Sequence, residues 1–448
     1  MKKTDFTDYI SKKAAICRKN DSISPELFDI YGVQRGLRDK NGNGVVAGLT
    51  NISKIIGTKT ENGVKTPCEG ELWYRGYRIE ELLKMIGPDS LGFEKIAYLL
   101  LMGELPDAKQ EAEFVQVIGA NRKLPRNFTR DVIMKAPSQD IMNSMTKAVL
   151  TLASYDKNAG STDPADSLRQ CLFLISVFPL LAAYSYHAFN HYQKGGSMVI
   201  HHPDHKLSTA ENLLMLLRQD KGYSRVEAKV LDTALILHME HGGGNNSTFT
   251  TRVVTSSGSD TYSTVAAAMS SLKGPRHGGA NIKVVEMMAD LKNTLGGGCD
   301  RDKVADYLTK VVGREAFDNK GLIYGMGHAV YSLSDPRELV FKSYVEQLAA
   351  AKGREADLKL YQTVEELAPE IIAKKRRIYK GVSPNVDFYS GFVYDMLGIP
   401  WELYTAIFAI ARIVGWSAHR LEELTNMDKI IRPAYLSVME ERTLPFNP

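Results

Sequence analysis

Apolar residues recur at helical spacing along most of this chain. Five windows carry an apolar residue at every third or fourth position, with Gly or Pro near many of their ends. They are Phe93–Leu101, Val226–Met239, Asn281–Leu291, Val304–Val312 and Trp401–Leu424. Strand signals are few and short, and the clearest is Val45–Ile52. The pattern predicts an all-α, multi-helical fold with at most a small N-terminal hairpin, and it disfavours a doubly wound sheet.

One segment, Cys171–Phe189, is apolar almost throughout. It is long enough to cross a bilayer, but it contains Pro179, two serines and two tyrosines, and it stands alone in the chain. A helix that is apolar on all sides is also what the centre of a large helical protein requires. We therefore interpret this segment as a buried core helix and expect no membrane partner.

Charge and cysteine content narrow the class of protein. The formal charge of +4 over 448 residues is small and is not gathered into a tail, so nucleic acid is not expected as a partner. The four cysteines are far apart, which argues against a disulfide framework and a zinc ribbon. The N-terminus meets Asp5 and Asp8 before any apolar core, so no secretory signal is expected. These features predict a soluble, cytoplasmic protein.

Three turns rich in Gly or Pro carry titratable side chains in the C-terminal half. They are Gly274–Asn281, Gly325–Val330 and Pro384–Asp387, which contain His277, His328 and Asp387. Such turns present a side chain rather than bury it, because Gly and Pro fix the backbone and leave little bulk around it. The pattern favours acid–base catalysis.

His277 precedes a segment, Gly278 to Asn281, that should open a helix. The partial positive charge of a helix N-terminus disfavours imidazolium, so the ring should stay neutral near pH 7 and donate to a developing oxyanion. The alternative is a histidine that only satisfies backbone carbonyls. Because two similar turns, with His328 and Asp387, occur in the same half of the chain, we favour the catalytic role.

Asp387 and three arginines complete the candidate set. Asp387 lies just ahead of an apolar run, so it is either a helix N-cap worth about 1 kcal/mol or a base in an apolar surround. Arg412 lies in an apolar helix, where a guanidinium is costly unless it meets a carboxylate. That carboxylate is either internal or belongs to a substrate. Arg337 and Arg432 each adjoin a proline.

An ordered set of motifs resembles the citrate synthase family. The motifs are Leu72–Leu82, Phe93–Pro106, His238–His241, Gly274–Asn281, Gly325–Arg337, Pro384–Gly391 and Ile431–Pro433. The resemblance implies condensation of acetyl-CoA with oxaloacetate and water to give citrate and CoA, by a helical homodimer whose two domains close over the substrates. We expect residues 1–277 to form the first part of a large domain and residues 278–387 to form a small domain, which carries His328 and the CoA-binding side of the site. Residues 388–448 are expected to return to the large domain.

The resemblance also assigns roles by position. His277 matches the donor to the thioester oxygen, Asp387 the base, and His328 the group that polarises the ketone. The positions that match oxaloacetate-binding residues are His241, Arg337, Arg412 and Arg432, the last reaching the partner subunit's site. Lys380 matches a lysine near the CoA phosphates. No metal and no cofactor beyond the acetyl-CoA substrate are implied.

One departure concerns Gly242, where the family commonly has a glutamate directly after the histidine. The resemblance implies that the function of that carboxylate is lost here and that the loop is more pliable. The acyl group is also open, because 2-methylcitrate synthases share these motifs and propionyl-CoA differs by one methylene, worth ~1 kcal/mol.

Two rival functions remain at this point. A metal-dependent hydrolase would use a second group of histidines or the His238/His241 pair. That group comprises His187, His191, His201, His202 and His205, with Asp204 beside them. A non-catalytic helical scaffold would keep the fold without the chemistry. The basic run Lys374–Arg377, with Lys380, is compatible with a nucleic-acid patch, a neighbour of the CoA phosphates or a solvated helix end, and we favour the solvated helix end.

Overall fold

A computed structural model describes residues 3–39, 44–328, 330–376, 381–426 and 429–444. Within these ranges it contains seventeen α-helices and one three-stranded antiparallel sheet, so the predicted helical fold is confirmed. The chain separates into two units, residues 1–49 and residues 50–448. The expected domain bounds at residues 277 and 387 stay a prediction.

The first unit is a short helical segment. It contains α1 (Lys3–Asn20), α2 (Pro25–Ile30) and a single helical turn, Arg35–Leu37. The proline at the first position of α2 is favourable there, because that backbone position has no intrahelical acceptor to lose.

The second unit contains the remaining elements. They are β1 (Ser53–Glu61), β2 (Val64–Tyr74), β3 (Tyr77–Arg78), α3 (Ile79–Ile86), α4 (Phe93–Met102), α5 (Ala108–Ala120), α6 (Ile141–Leu152), α7 (Pro164–Lys194), α8 (Thr209–Leu217), α9 (Arg225–His238), α10 (Asn246–Ser256), α11 (Thr261–Leu272), α12 (Ala280–Leu295), α13 (Arg301–Gly313), α14 (Pro336–Lys352), α15 (Glu355–Arg376), α16 (Val386–Met396) and α17 (Tyr404–Asn426). All five predicted helical windows correspond to helices, and α17 begins after a separate turn at Trp401–Leu403.

The predicted strand Val45–Ile52 is wrong in position. The first strand begins at Ser53, and β1 pairs with β2 from Ser53↔Tyr74 to Glu61↔Val64. The turn between them is Asn62-Gly63, both at positive φ (51° and 78°), the dipeptide that a tight hairpin of this hand prefers. That dipeptide, rather than the Gly residues near Val45, marks the hairpin in the sequence.

The core is built around α7 and α17, which pack against each other. By length and composition α7 is the one described helix that could span a membrane, and 83% of its most apolar stretch is buried inside the protein. The interpretation of Cys171–Phe189 as a core helix is confirmed. Asp163 caps α7 by accepting from the N–H groups of Ala165 and Asp166.

Helix α17 approaches the end of α9 closely at Gly415. A methyl group at residue 415 would lie closer than 3.0 Å to the Met239 carbonyl oxygen and to a Glu240 carboxylate oxygen. Real Cβ atoms do not make such contacts with backbone, so one of the two elements would have to move. The absence of a side chain at Gly415 therefore fixes how near α17 lies to residues 239–241.

We expect Gly415→Ala to destabilise the protein by about 1–3 kcal/mol, because the new methyl overpacks a backbone contact. The measurement is the urea midpoint of unfolding. Gly160→Ala is the matched control, since a Cβ there meets open space. The control should change the free energy of unfolding by less than about 0.5 kcal/mol. Equal midpoints for the two variants would contradict the close approach.

Candidate active site

His277 lies in the turn between α11 and α12, and its ring contacts the N-terminus of a third helix, α10. Its Nε2 is 3.0 Å from Ser247 Oγ and 3.3 Å from the Ser247 backbone nitrogen. The helix end that it meets is thus that of α10, whereas the sequence pointed to α12. A backbone N–H only donates, so Nε2 accepts and the ring proton lies on Nδ1.

Burial and charge keep this ring neutral. Burial, followed by the positive charge of Arg412, lowers the pKa of His277 to about 4, against the effect of a hydrogen bond to its own backbone carbonyl. The ring is therefore uncharged at pH 7 with a donor at Nδ1. Trp416 donates to the same Ser247 Oγ at 3.1 Å, which holds that hydroxyl against the ring.

His328 is fixed in the opposite tautomer. Its Nδ1 accepts from the backbone N–H groups of Val330 (3.1 Å) and Tyr331 (3.2 Å). The proton of a neutral ring is then on Nε2. The Tyr331 ring stacks on the imidazole with centroids 4.8 Å apart and an interplanar angle of 24°, which orients the plane of the ring.

Asp387 is the second residue of α16 and is not the cap. Asn385 is the N-cap, and its Oδ1 accepts the Asp387 N–H at 3.0 Å, so the interpretation of Asp387 as an N-cap is wrong. Burial raises the pKa of the Asp387 carboxyl to about 6, although the positive charges of Arg337 and Arg412 oppose the shift. The group is a stronger base than an ordinary aspartate and is ionised at pH 7.

Backbone hydrogen bonds tie the His328 turn to the start of α16. Gly327 N–H donates to Ser383 O at 2.7 Å, and Asn385 N–H donates to Gly325 O at 2.9 Å. The Asn385 side-chain amide donates to Gly327 O at 2.7 Å. Two of the three turns singled out in the sequence are therefore a single bonded unit.

His241 contacts both the His328 ring and the Tyr331 ring that stacks on it. The two imidazole centroids are 5.0 Å apart, nearly perpendicular. Burial first, and then the charges around it, lower the pKa of His241 well below its usual value. Its buried Nε2 has no hydrogen-bond partner among the described residues.

Gly242 follows His241 with φ of +86°, a backbone conformation that favours glycine over residues with a side chain, glutamate included. A carboxylate is present directly before His241 instead, at Glu240. The buried Glu240 accepts from Gly242 N–H at 2.5 Å and from the ring of the buried His419 at 2.9 Å. The loop is therefore bonded to its neighbours, where the sequence suggested a more pliable one.

Arg412 is fully buried in α17 and has only part of its guanidinium satisfied. Nε donates to His238 O at 2.7 Å, and the guanidinium lies 4.7 Å from the centroid of the Phe408 ring. Both terminal nitrogens, Nη1 and Nη2, are buried without a hydrogen-bond partner among the described residues. Burial lowers its pKa to about 10, while the negative charge of Glu240 opposes that shift. A guanidinium at that pKa is still charged at pH 7.

Arg337 pairs internally. Its Nε and Nη2 donate to the two oxygens of Asp335 at 3.0 and 2.7 Å, a bidentate pair that is almost completely buried. Arg432 lies elsewhere, exposed in the segment after α17. Lys380 lies outside the described residues.

Arg412 connects the proposed acid–base pair. Its charge lowers the pKa of both His277 and Asp387. Gly391, one turn after Asp387, packs so closely on α12 that a methyl there would lie 2.8 Å from Asn281 O, one turn after His277. The N-terminal halves of α12 and α16 therefore pack against each other, and the positive charge of Arg412 acts on both His277 and Asp387.

Some members of the site were not singled out in the sequence. Asp335 was readable, because Asp-Pro is a helix-start signal and Asp335 caps α14. Ser247 and His419 carry no comparable signal, since an isolated serine and a histidine in an apolar helix have many roles. Their part in the site comes only from which helices meet.

Three members of the second histidine group make ordinary backbone contacts. The rings of His187, His191 and His201 face the carbonyls of Leu216, Gly196 and Arg218. Across the described ranges, no group of three or more His, Cys, Asp or Glu is placed to hold a metal ion.

The chain is similar to known proteins over most of its length. The family model for "Citrate synthase, C-terminal domain" matches residues 40–434. The citrate synthase of Synechocystis sp. is 34% identical over 396 residues, 88% of this chain and 89% of that protein. The 2-methylcitrate synthase 1 of Corynebacterium glutamicum is 32% identical over 422 residues, 93% of this chain and 98% of that protein. A solved citrate synthase from Thermoplasma acidophilum, in ternary complex with carboxymethyl coenzyme A and oxaloacetate, superposes with a TM-score of 0.75 at 26% identity, covering 92% of this chain and 98% of that one.

The contacts of His277 predict its tautomer in solution. In ¹⁵N spectra of the histidine rings, Nδ1 of His277 should carry the proton and the signals should not titrate between about pH 5.5 and pH 8. His277→Gln identifies the signals by their loss. A midpoint near the usual histidine value, or a proton on Nε2, would contradict the contact with Ser247.

Proposed function

This chain belongs to the citrate synthase family, and from that membership we propose that it condenses acetyl-CoA with oxaloacetate and water to give citrate and CoA. The observation that carries the proposal is the buried Arg412 guanidinium, two of whose nitrogens have no hydrogen-bond partner in the part of the chain that the structure describes. A charge buried in that way needs a carboxylate partner. In the proposed reaction a dicarboxylate substrate supplies one.

Asp387 is the proposed base. The methyl group of an acyl thioester is a very weak acid, so its proton is removed only if base and oxyanion donor act together. With a pKa raised to about 6, Asp387 is ionised at pH 7 and more basic than a solvated aspartate. In the proposed step its carboxylate takes the methyl proton while the Nδ1–H of His277 donates to the thioester oxygen.

His328 acts on the other substrate. Its backbone-fixed Nδ1 leaves the proton on Nε2, which donates to the ketone oxygen of oxaloacetate. The enol carbon forms the new bond to the ketone carbon while the π bond of the ketone breaks. The ketone oxygen takes up one proton, which balances the proton that Asp387 removed. Water then cleaves the thioester and releases CoA.

Arg412 and His241 are the proposed oxaloacetate ligands of this chain. Both are buried and have nitrogens without a hydrogen-bond partner among the described residues. His241 contacts the His328 ring, and the charge of Asp387 acts on Arg412. Arg337 holds its bidentate bond to Asp335 and contributes its charge. A dianion surrounded by guanidinium groups in a water-poor site binds far more tightly than in solution.

The remaining assignments complete the proposal. Lys380 would contact the CoA phosphates. The exposed Arg432 would enter the site of a second subunit in a homodimer, and the enzyme would act in the cytoplasm without a metal. A metal-dependent hydrolase is less well supported, because His187, His191 and His201 bond to backbone carbonyls and no group of three or more His, Cys, Asp or Glu among the described residues is placed to hold a metal ion. Chelator treatment, which leaves the condensation unaffected, separates the two.

Loss of the base and loss of the carboxylate ligand should have different signatures. We expect Asp387→Asn to lower oxaloacetate-dependent release of thiol from acetyl-CoA by about 10²–10⁴-fold while oxaloacetate still binds, because proton abstraction alone is lost. Arg412→Ala should weaken oxaloacetate binding by about 30-fold or more. Thiol release and calorimetric titration measure the two effects.

The exposed variants Asp302→Asn and Arg301→Ala are matched controls for the same changes of side chain. Equal loss of oxaloacetate affinity in Asp387→Asn and Arg412→Ala would contradict the division of roles. No oxaloacetate-dependent thiol release from the natural chain would refute the proposed reaction and leave the scaffold function.

The second candidate is 2-methylcitrate synthesis from propionyl-CoA, which the similarity to the Corynebacterium glutamicum 2-methylcitrate synthase favours. We expect kcat/KM for acetyl-CoA to exceed that for propionyl-CoA by about fivefold or more, the discrimination that one methylene allows. Both thioesters are assayed at saturating oxaloacetate. The reverse order would replace citrate by 2-methylcitrate as the product.

A further inference from the structure

The base of the small sheet is bonded to the turn that carries His241. Ser53 at the start of β1 donates to Glu240 Oε1 at 2.9 Å. Tyr74 at the end of β2 is fully buried, and its hydroxyl lies 3.0 Å from Glu240 O. The Ile55 side chain packs on Gly242, where a methyl group would lie 2.7 Å from Ile55 Cδ1. The two residues that flank His241 are thus both held by the sheet.

The middle of the same sheet is bonded to the segment that follows His328. The Tyr331 hydroxyl donates to Glu71 O at 3.3 Å, and Gly70 N–H donates to Ser334 Oγ at 3.2 Å. The same Ser334 hydroxyl also bonds to the Glu69 carboxylate. Tyr331 is the residue that stacks on His328 and donates its N–H to that ring.

Two glycines let this segment lie directly on the strands. A methyl group at Gly57 would lie 2.5 Å from Val330 O, and one at Gly70 would lie closer than 3.0 Å to Ser334 O and to the Tyr331 ring. The β1–β2 register shifts between Ile56 and Thr58, so both glycines lie at one irregularity. Such a bulge re-aims the strands. Because neither glycine has a side chain, residues 330–334 pack directly on the backbone of the strands at these two positions.

We propose that the sheet is the frame that sets the separation of His241 and His328, with Gly57 and Gly70 as positioning residues. The inference rests on the proposed function, because it assigns both rings to one substrate. The rings lie 5.0 Å apart, while their turns are 87 residues apart in sequence, counting from 241 to 328. Binding sites tolerate errors of only about 0.5 Å in such a spacing.

The choice of glycine at these positions has no backbone explanation. Neither Gly57 nor Gly70 has a positive φ, whereas Gly63 and Gly76 at the ends of the strands do. In a strand with ordinary φ, alanine reduces the entropy of the unfolded chain and stabilises the fold where space allows. The requirement at Gly57 and Gly70 is therefore the approach of the Val330 and Ser334 carbonyls.

The test compares Gly57→Ala and Gly70→Ala with the natural chain and with Gly160→Ala, whose added methyl meets open space. Titration calorimetry measures the Kd for oxaloacetate, and steady-state kinetics measure kcat and KM for both substrates. We expect each sheet variant to raise the Kd by about tenfold or more, since displacement of a site by about 1 Å costs up to 10²-fold. The KM for acetyl-CoA should change less, and Gly160→Ala should match the natural chain.

Tyr331→Phe covers the case in which a glycine variant does not fold. It keeps the ring stacked on His328 and removes only the bond to Glu71 O, so we expect a rise in Kd of about threefold, near the net worth of one hydrogen bond. Folded glycine variants with an unchanged Kd, or Tyr331→Phe with an unchanged Kd, overturn the inference.

A separate measurement distinguishes this inference from the proposed function. ¹⁵N spectra of the ligand-free protein report the rings of His241 and His328 without any substrate. Displaced signals for both rings in Gly70→Ala, and not in Gly160→Ala, support the frame even if the natural chain binds no oxaloacetate. Unchanged signals refute it even if the natural chain is fully active.

Discussion

The buried charge of Arg412 is the constraint on which the site depends. A guanidinium cannot shed its proton in the interior, so its charge shifts the pKa values of the surrounding groups. Burial and this positive charge lower the pKa of His277, and they lower those of His238 and His241 as well. All three rings are therefore neutral where a solvated histidine would be partly charged. Burial outweighs the same charge at Asp387 and makes that carboxylate more basic.

Backbone N–H groups then decide where the protons of the neutral rings lie. Ser247 in the first turn of α10 supplies one such donor to His277, and the peptide groups of Val330 and Tyr331 supply two to His328. Peptide donors have no rotamers, so they fix a tautomer more firmly than a side chain does. The two imidazoles are preset as donors at opposite ring nitrogens, which suits two different carbonyl oxygens in the proposed reaction.

Much of this arrangement is local and therefore readable in the sequence. Apolar periodicity marks α4, α9, α12 and α13, because each buries one face, and the Gly- and Pro-rich turns mark His277, His328 and Asp387. The hairpin was readable from Asn62-Gly63, although the Gly-rich stretch before it misplaced the strand. The tautomer of His277 was not readable, because its partner Ser247 comes from a helix 30 residues away whose packing depends on the whole core. The packing of residues 330–334 on Gly57 and Gly70 was not readable either, because the two segments are far apart in the sequence.

The irregularity at Gly57 divides the hairpin into two parts with different tolerance for change. The half nearer Ser53 and Tyr74 is packed on both histidine turns, whereas the half that ends at Asn62-Gly63 is exposed. Exposed turn tips accept added length at small entropic cost. An epitope, a fluorophore or a surface tether joined at that tip would therefore leave the candidate active site undisturbed. The hairpin tip is thus a suitable site for labelling or immobilising this protein.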